Sequence, residues 1–175
     1  MSQVRLTYPL KFWQNPSSWF YSLGKFSRPH TIIGTSLSVF ALSCIAFFTS
    51  QHQLTVNTFF QVFGVWLSCI LGNLYIVGLN QLEDIEIDQI NKPHLPLANG
   101  EFSKQTGQII VILSGILSLI LASFLGQWLF ATVSFSLVLG TAYSLPPFRL
   151  KRFPFWAAFC IFTVRGVVIN LGLFL

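Results

Sequence analysis

Four of the five acidic residues of this chain crowd into one stretch, at Glu83, Asp84, Glu86 and Asp88. If a helix continues through this stretch, Asn80, Asp84 and Asp88 recur every four residues and share one side. Like charges at this spacing repel each other, and a divalent cation removes the repulsion. Mg²⁺ is typically held by one or two carboxylates together with phosphate oxygens and water. The spacing therefore predicts a magnesium site, and the simpler alternative is a solvated acidic loop.

Basic residues follow the acidic cluster in two later segments. Lys92 is close enough in sequence to meet a diphosphate held at the metal, although it could simply set the membrane orientation. Tyr143 is followed by three cations, Arg149, Lys151 and Arg152. Cations at this position can neutralise a leaving diphosphate. Setting the topology is again the alternative role.

Five apolar segments must position these residues. The chain is 53% hydrophobic and only 9% charged, against roughly 25% charged residues in an ordinary soluble domain. Each segment is long enough to cross a hydrocarbon core of about 30 Å as a helix. An all-α, multi-span transmembrane bundle in a lipid bilayer is predicted, with helices over residues 31–49, 57–79, 107–125, 127–145 and 154–175. A soluble protein would have to shield these segments with very little polar surface.

The basic residues predict the orientation of the bundle. Lys and Arg lie before the first segment, between the second and third, and between the fourth and fifth, whereas the other two connections carry none. By the positive-inside rule, the N-terminus and the acidic cluster face the cytoplasm or stroma. The predicted setting is a multi-pass protein of a plasma, thylakoid or plastid membrane.

The leader before the first segment has the residues of a short helix. Asn15 suits a helix N-cap and Pro16 the first helical position. Trp19, Leu23 and Phe26 would then share one face. The leader is predicted to form an interfacial helix, or else an aromatic belt without regular structure.

Arg165 is the one charge deep inside an apolar segment. An ionisable residue near the middle of a membrane is a functional candidate by default. Arg165 could bind a carboxylate on an aromatic substrate, or it could pair with polar groups such as Asn73 or Asn170. Both roles remain open from the sequence.

Composition argues against two other classes of protein. The net charge is +5, but the basic residues are scattered and form no run, so no nucleic-acid partner is predicted. The three cysteines are odd in number and lie in apolar segments. A disulfide framework or a paired-cysteine metal site is therefore not predicted.

Three segments resemble the UbiA-type intramembrane prenyltransferases. Residues 80–88 match the family's first Asn-x-x-x-Asp-x-x-x-Asp motif, and residues 78–98 resemble its homogentisate phytyltransferase branch. The run Tyr-Ser-Leu-Pro-Pro-Phe-Arg-Leu-Lys-Arg at 143–152 resembles a later loop of that branch. Arg-Pro-His-Thr at 28–31 fits it as well.

The resemblance implies a fold and a reaction. The family forms a ring of nine transmembrane helices around a lipid-open cavity. It transfers a prenyl group from its diphosphate to an aromatic acceptor with Mg²⁺. In this branch the acceptor is homogentisate, which loses CO₂ on the way to tocopherol. The implied roles are metal and diphosphate binding by Asn80, Asp84 and Asp88, phosphate contact by Lys92, Arg149 and Lys151, substrate binding by Arg28, and flanking of the allyl cation by Tyr143.

The chain departs from the family pattern in its later part. The family has a second Asp-rich motif, whereas no Asp or Glu follows Glu101 here. Five helices cannot close a ring of nine. The resemblance thus predicts a leader at 1–30 and a prenyltransferase domain at 31–175 that lacks a C-terminal half, which puts the activity of this chain alone in question.

Other functions remain open at this stage. Chlorophyllide or 4-hydroxybenzoate could replace homogentisate as the acceptor. A transporter would place its charged residues near the bilayer midplane, whereas most charges here gather at one face. A non-catalytic chain that assembles with another protein is the third alternative.

Overall fold

The computed structural model of this protein describes residues 9–50, 55–168 and 170, without the side chains of residues 50, 165 and 167. Every regular element in these ranges is helical, which confirms the predicted all-α class. The elements are α1 (Pro16–Phe26), α2 (Pro29–Ser50), α3 (Val56–Glu83), α4 (Ile85–Asn91), α5 (Lys104–Leu125), α6 (Gln127–Ser144), a 3₁₀ turn (Leu150–Arg152), α7 (Pro154–Phe162) and a π-helical segment (Thr163–Val168).

Three of the five predicted spans, in α2, α3 and α5, are long and apolar enough to cross a membrane. The fourth predicted span forms α6, with 18 residues. The fifth does not form one regular α-helix, because α7 ends at Phe162 and the π-helical segment follows. Such segments occur mostly as local widenings of α-helices and often lie at functional sites.

Short polar side chains begin several of these helices. Asn15 Oδ1 accepts a hydrogen bond from the backbone N–H of Ser18, and Pro16 is the first residue of α1, as predicted. Thr55 and Ser103 cap α3 and α5 in the same way. These caps supply partners for N–H groups that the first helical turn leaves free.

Helix α3 lies at the centre and packs against α2, α5 and α6. Ser68 and Ser118 join α3 to α5, because each hydroxyl donates to the other's backbone carbonyl, at 3.0 and 2.8 Å. Small residues bring the helices close, since a Cβ on Gly115 would lie only 2.7 Å from the ring of Tyr75. Packing through small and hydroxylated residues is typical of helices in lipid.

The outward faces of these helices are apolar. Large hydrophobic side chains such as Phe48 and Phe124 are 79% and 84% exposed, and others follow along α2, α3, α5 and α6. A surface of this kind would be unfavourable in water. An apolar exterior of this kind suits a protein surrounded by lipid, in agreement with the predicted bilayer partner.

The loop between α4 and α5 is compact. The two prolines and the glycine in residues 91–101 predict a helix break followed by an extended loop. The break is confirmed, because α4 ends at Asn91, but the prediction of an extended loop is wrong. The N–H of Leu95 donates to the carbonyl of Lys92 at 3.1 Å, and the N–H of Asn99 donates to that of Leu95 at 3.0 Å. Leu95 and Leu97 are buried. Turns replace the extended chain because they bring these leucines into the core.

The leader helix α1 packs onto this loop and onto α3. Trp19, Leu23 and Phe26 share the buried face, as predicted, and join a core cluster with Leu97 and Phe102. The Glu101 carboxylate holds the same contact, because it accepts hydrogen bonds from Ser22, Lys25 and Asn99. The helix is confirmed, and its place at a membrane surface stays a prediction.

The Glu101 contact gives a pH-dependent prediction. Burial alone would raise the pKa of Glu101, but the hydrogen bonds from Lys25, Ser22 and Asn99 outweigh it and lower that pKa. The ionised carboxylate therefore stabilises the fold fully above the ordinary glutamate pKa, and this stabilisation is lost as pH falls through the lower, folded-state pKa.

Glu101→Gln is expected to lower the free energy of unfolding by about 1–2 kcal/mol at neutral pH. The difference should shrink below about pH 4. Thermal unfolding in detergent across the pH range measures it. The exposed Glu86→Gln is the control and should change little. A Glu101→Gln effect that is the same at every pH would contradict the prediction.

Candidate functional site

The helix that carries the acidic motif breaks at Asp84. Helix α3 runs past Asn80, as the spacing requires, but it ends at Glu83, and Asp84 joins it to α4. The prediction of one helix through Asp88 is wrong at this point. Arg149 Nη2 lies 3.4 Å from the carbonyl oxygen of Glu83 and gives this helix end a partner from outside the helix. The register survives, because the Asp88 N–H donates to the Asp84 carbonyl at 2.7 Å.

Asp84 contacts two cations from the later basic loop. Lys151 Nζ lies 2.7 Å from Asp84 Oδ2, and Arg149 Nη2 lies 3.3 Å from Asp84 Oδ1. The same Lys151 ammonium lies 3.0 Å from Asn80 Oδ1. Lys151 therefore joins the first two residues of the motif.

Asp88 contacts a different pair of cations. Lys92 Nζ lies 3.4 Å from Asp88 Oδ1, one helical turn along the chain. Arg28 Nη2, from the joint between α1 and α2, lies 3.9 Å from Asp88 Oδ2. Arg28 Nη2 and Asp88 Oδ2 are both buried and have no hydrogen-bond partner within the described residues. At 3.9 Å these two atoms form an ion pair without a direct hydrogen bond.

The two arginines have the same unusual backbone. Arg28 has φ 52° and Arg149 has φ 37°, which are the only positive values among the non-glycine residues described. The left-handed region costs an ordinary residue about 1 kcal/mol or more. Such residues persist where surrounding contacts hold them, and they are common at functional sites.

Beside Arg28 and Asn80 lies an apolar cavity of about 240 Å³ between α2, α3, α6 and α7. Arg28, Asn80 and Tyr143 line it together with apolar side chains. The apolar part of the wall includes Ile76, Val77, Val133, Leu137, Leu139 and Ile161. A charged group can thus lie at the motif while an apolar chain attached to it enters the cavity.

The motif residues fit a magnesium ion. Asn80, Asp84 and Asp88 offer hard oxygen ligands, which Mg²⁺ prefers. Within the described ranges no group of three Asp, Glu, His or Cys side chains could hold a metal. Mg²⁺ commonly binds through one or two carboxylates and completes its shell with substrate phosphates. The buried, unbonded Asp88 Oδ2 is consistent with such a ligand.

The remaining predicted residues divide into two groups. Lys92, Arg149, Lys151 and Arg28 meet the motif, and Tyr143 lines the cavity beside Asn80. Arg165 lies in the π-helical segment, but its side chain is outside the described part of the chain, so its two proposed roles stay untested.

Two structural residues of the site were not singled out from the sequence. Gln81 is 1% exposed and hydrogen-bonds across to α1, and Glu101 anchors α1 through side chains 76 and 79 positions away. An uncharged amide next to Asn80 was the available signal for Gln81. For Glu101, the available signal was its position, because it is the one acidic residue outside the cluster at 83–88.

Comparison with known sequences supports one family. The model of the UbiA prenyltransferase family matches residues 37–175. The homogentisate phytyltransferase of Synechocystis sp. is 59% identical over 152 residues, which cover 86% of this chain and 49% of that protein. The chloroplastic homogentisate phytyltransferase 1 of Arabidopsis thaliana is 44% identical, over 86% of this chain and 39% of that protein. The chain thus spans about half the length of these relatives, or less.

A solved structure has the same fold. It is that of a UbiA homolog from Archaeoglobus fulgidus bound to GPP and Mg²⁺, with a TM-score of 0.71 and 20% identity. The match covers 87% of this chain and 53% of that one. The family model, the fold and the three long apolar helices agree. This chain is an integral membrane protein and belongs to the UbiA prenyltransferase family.

Proposed function

We propose that this chain takes part in the Mg²⁺-dependent transfer of a phytyl group from its diphosphate to homogentisate, in tocopherol and prenylquinone synthesis. The observation that carries the proposal is the pairing of Asp84 and Asp88 with four cations, one of which, Arg28, lines an apolar cavity. Positive charge exceeds negative charge among these six side chains. A diphosphate is the kind of polyanion that would balance it.

The cations would act on the leaving group. Arg28, Lys92, Arg149 and Lys151 would bind the diphosphate oxygens and offset their charge as the allylic C–O bond breaks. Mg²⁺ at Asn80, Asp84 and Asp88 would add Lewis-acid stabilisation of the same charge. Both sets of groups favour departure of diphosphate with the bonding electrons.

The cavity would protect the carbon fragment. Its apolar walls exclude water, which would otherwise capture an allylic cation. The electron-rich ring of Tyr143 would flank that cation and stabilise it. Homogentisate would then form the new C–C bond through its ring and lose a ring proton. Its side chain would lose CO₂ and take up a proton, which leaves a methyl group.

The relatives support the choice of acceptor and donor. Both curated relatives described above are named homogentisate phytyltransferases. The Archaeoglobus fulgidus homolog was solved with a prenyl diphosphate and Mg²⁺. We also propose that the motif faces the cytoplasm or stroma, because the connections that flank it contain the basic residues.

The test uses membranes that contain the chain as it exists. Labelled phytyl diphosphate is supplied with Mg²⁺ and homogentisate, 4-hydroxybenzoate or chlorophyllide. We expect a labelled methyl-phytyl-benzoquinol with homogentisate, and its loss when EDTA replaces Mg²⁺. Preference for another acceptor would overturn the acceptor assignment. Diphosphate binding without any product would overturn the enzymatic proposal and favour a non-catalytic binding chain.

A further inference from the structure

Gln81 is a buried amide beside the first residue of the motif. Its side chain is 1% exposed, at the end of α3 where Asn80 and Glu83 also lie. Gln81 Nε2 donates a hydrogen bond of 2.7 Å to the backbone carbonyl of Phe26, the last residue of α1. A second, longer contact of 3.4 Å reaches Val77 within α3. The strong bond therefore joins α3 to α1.

The ring of Phe26 is held by the same helix. Phe26 is fully buried, and a Cβ on Gly78 would lie only 2.8 Å from it. Gly78 lets the ring lie directly against α3, one turn before Gln81. Helix α3 thus fixes Phe26 twice, through its ring at Gly78 and through its carbonyl at Gln81.

Two residues after Phe26, the chain turns sharply into α2. Arg28 has φ 52° at this turn, and its N–H donates to the Lys25 carbonyl at 3.1 Å. The left-handed backbone directs its side chain toward Asp88, where Nη2 lies 3.9 Å from Oδ2. A conformation that is unfavourable by itself needs support from its surroundings. The Gln81 bond supplies support immediately before the turn.

We propose that Gln81 is a positioning residue that holds Arg28 for the diphosphate, through the backbone of Phe26. This inference rests on the function proposed above and deepens it. Gln81 itself contacts neither Asp84 nor Asp88 in the hydrogen bonds of the described residues. We expect a change at Gln81 to alter the affinity for the diphosphate and to leave the affinity for the acceptor unchanged.

The test compares two variants that each remove one interhelical hydrogen bond of α3. Gln81→Met keeps the volume of the side chain and removes its donor. Ser68→Ala is the matched control, because Ser68 is also fully buried and bonds α3 to α5 instead of α1. Thermal unfolding checks that both variants fold. The dissociation constant for inorganic diphosphate with Mg²⁺, measured by calorimetry, and the KM for the prenyl diphosphate are then compared.

We expect Gln81→Met to weaken diphosphate binding about tenfold, with the KM for the acceptor unchanged, and Ser68→Ala to change neither. Arg28→Ala should weaken binding by at least as much. The double variant Gln81→Met/Arg28→Ala should be no weaker than Arg28→Ala, because both changes act on one contact.

Two results would overturn the inference. One is equal diphosphate affinity in Gln81→Met and Ser68→Ala, and the other is full additivity of Gln81→Met with Arg28→Ala. Failure of the proposed function gives a different result, in which the unchanged chain binds diphosphate without turnover or does not bind it. If the unchanged chain binds diphosphate without turnover, the diphosphate affinities of the variants still test the role of Gln81. If the unchanged chain does not bind diphosphate, both the proposed function and the role of Gln81 are wrong.

Discussion

Asp84→Ala and Asp88→Ala are each expected to lower the rate of prenyl transfer by a factor of about a thousand or more. This is the upper end of the range for removal of one group that stabilises charge in a transition state. Each variant removes an oxygen ligand that Mg²⁺ needs. Each also leaves two cations without their carboxylate, Arg149 and Lys151 for Asp84, and Arg28 and Lys92 for Asp88. Unpaired and partly buried charges repel each other and move out of place.

The matched control for this experiment lies between the two acids. Glu86 is an exposed acid of the same short helix α4, and Glu86→Ala is expected to keep turnover within about twofold. Initial rates at saturating Mg²⁺ measure the effect, and thermal unfolding confirms that each variant folds. Normal turnover of Asp84→Ala at saturating Mg²⁺ would refute the metal role, and an equal loss in Glu86→Ala would show that the motif spacing is irrelevant.

Lys151→Ala is expected to lower kcat/KM for the prenyl diphosphate about a hundredfold. Lys151 is the cation that touches both Asn80 and Asp84, and its side chain is only 12% exposed. Its ammonium is therefore held in place before substrate binds, which lowers the cost of ordering it during the reaction. Excess Mg²⁺ should not restore activity, because the metal and the ammonium would bind different oxygens of the diphosphate.

Arg152 provides the comparison for Lys151, since it is the next cation along the chain and is exposed. Arg152→Ala is expected to change kcat/KM by less than about threefold, since exposed charges are screened by solvent. Binding of Mn²⁺ alone, followed by electron paramagnetic resonance, gives a second measurement. Lys151→Ala should bind Mn²⁺ at least as tightly as the unchanged chain, because Asp84 loses a competing cation. Weaker Mn²⁺ binding, or equal rates for the two variants, would contradict the assignment.

Local chemistry made much of the architecture predictable. The lengths of the apolar segments predicted α2, α3, α5 and α6 to within a few residues. Asn15 and Pro16 predicted the start of α1, because a cap depends on neighbours within one turn. The four-residue spacing of Asn80, Asp84 and Asp88 predicted that they share a side. In the structure Lys151 joins Asn80 and Asp84, whereas Asp88 contacts Arg28 and Lys92.

The helix break at Asp84 could not be predicted from the neighbouring residues. Nothing in residues 80–91 requires α3 to end at Glu83, and helix periodicity favoured one continuous helix. The break places Asp84 between Arg149 and Lys151, which come from 65 and 67 positions later in the chain. Local propensity differs little between a straight and a broken helix, so contacts of this range decide which one forms.

The sequence by itself determined which residue types this protein offers for the proposed metal and diphosphate site, and which helices carry them. Only the tertiary structure decided which cation meets which acid, and that Gln81 and Glu101 form hydrogen bonds to the leader helix that precedes Arg28. Composition and periodicity report interactions within a few turns of helix. The site instead depends on packing between helices, where a buried amide or carboxylate gains stability only from partners that are distant in the sequence.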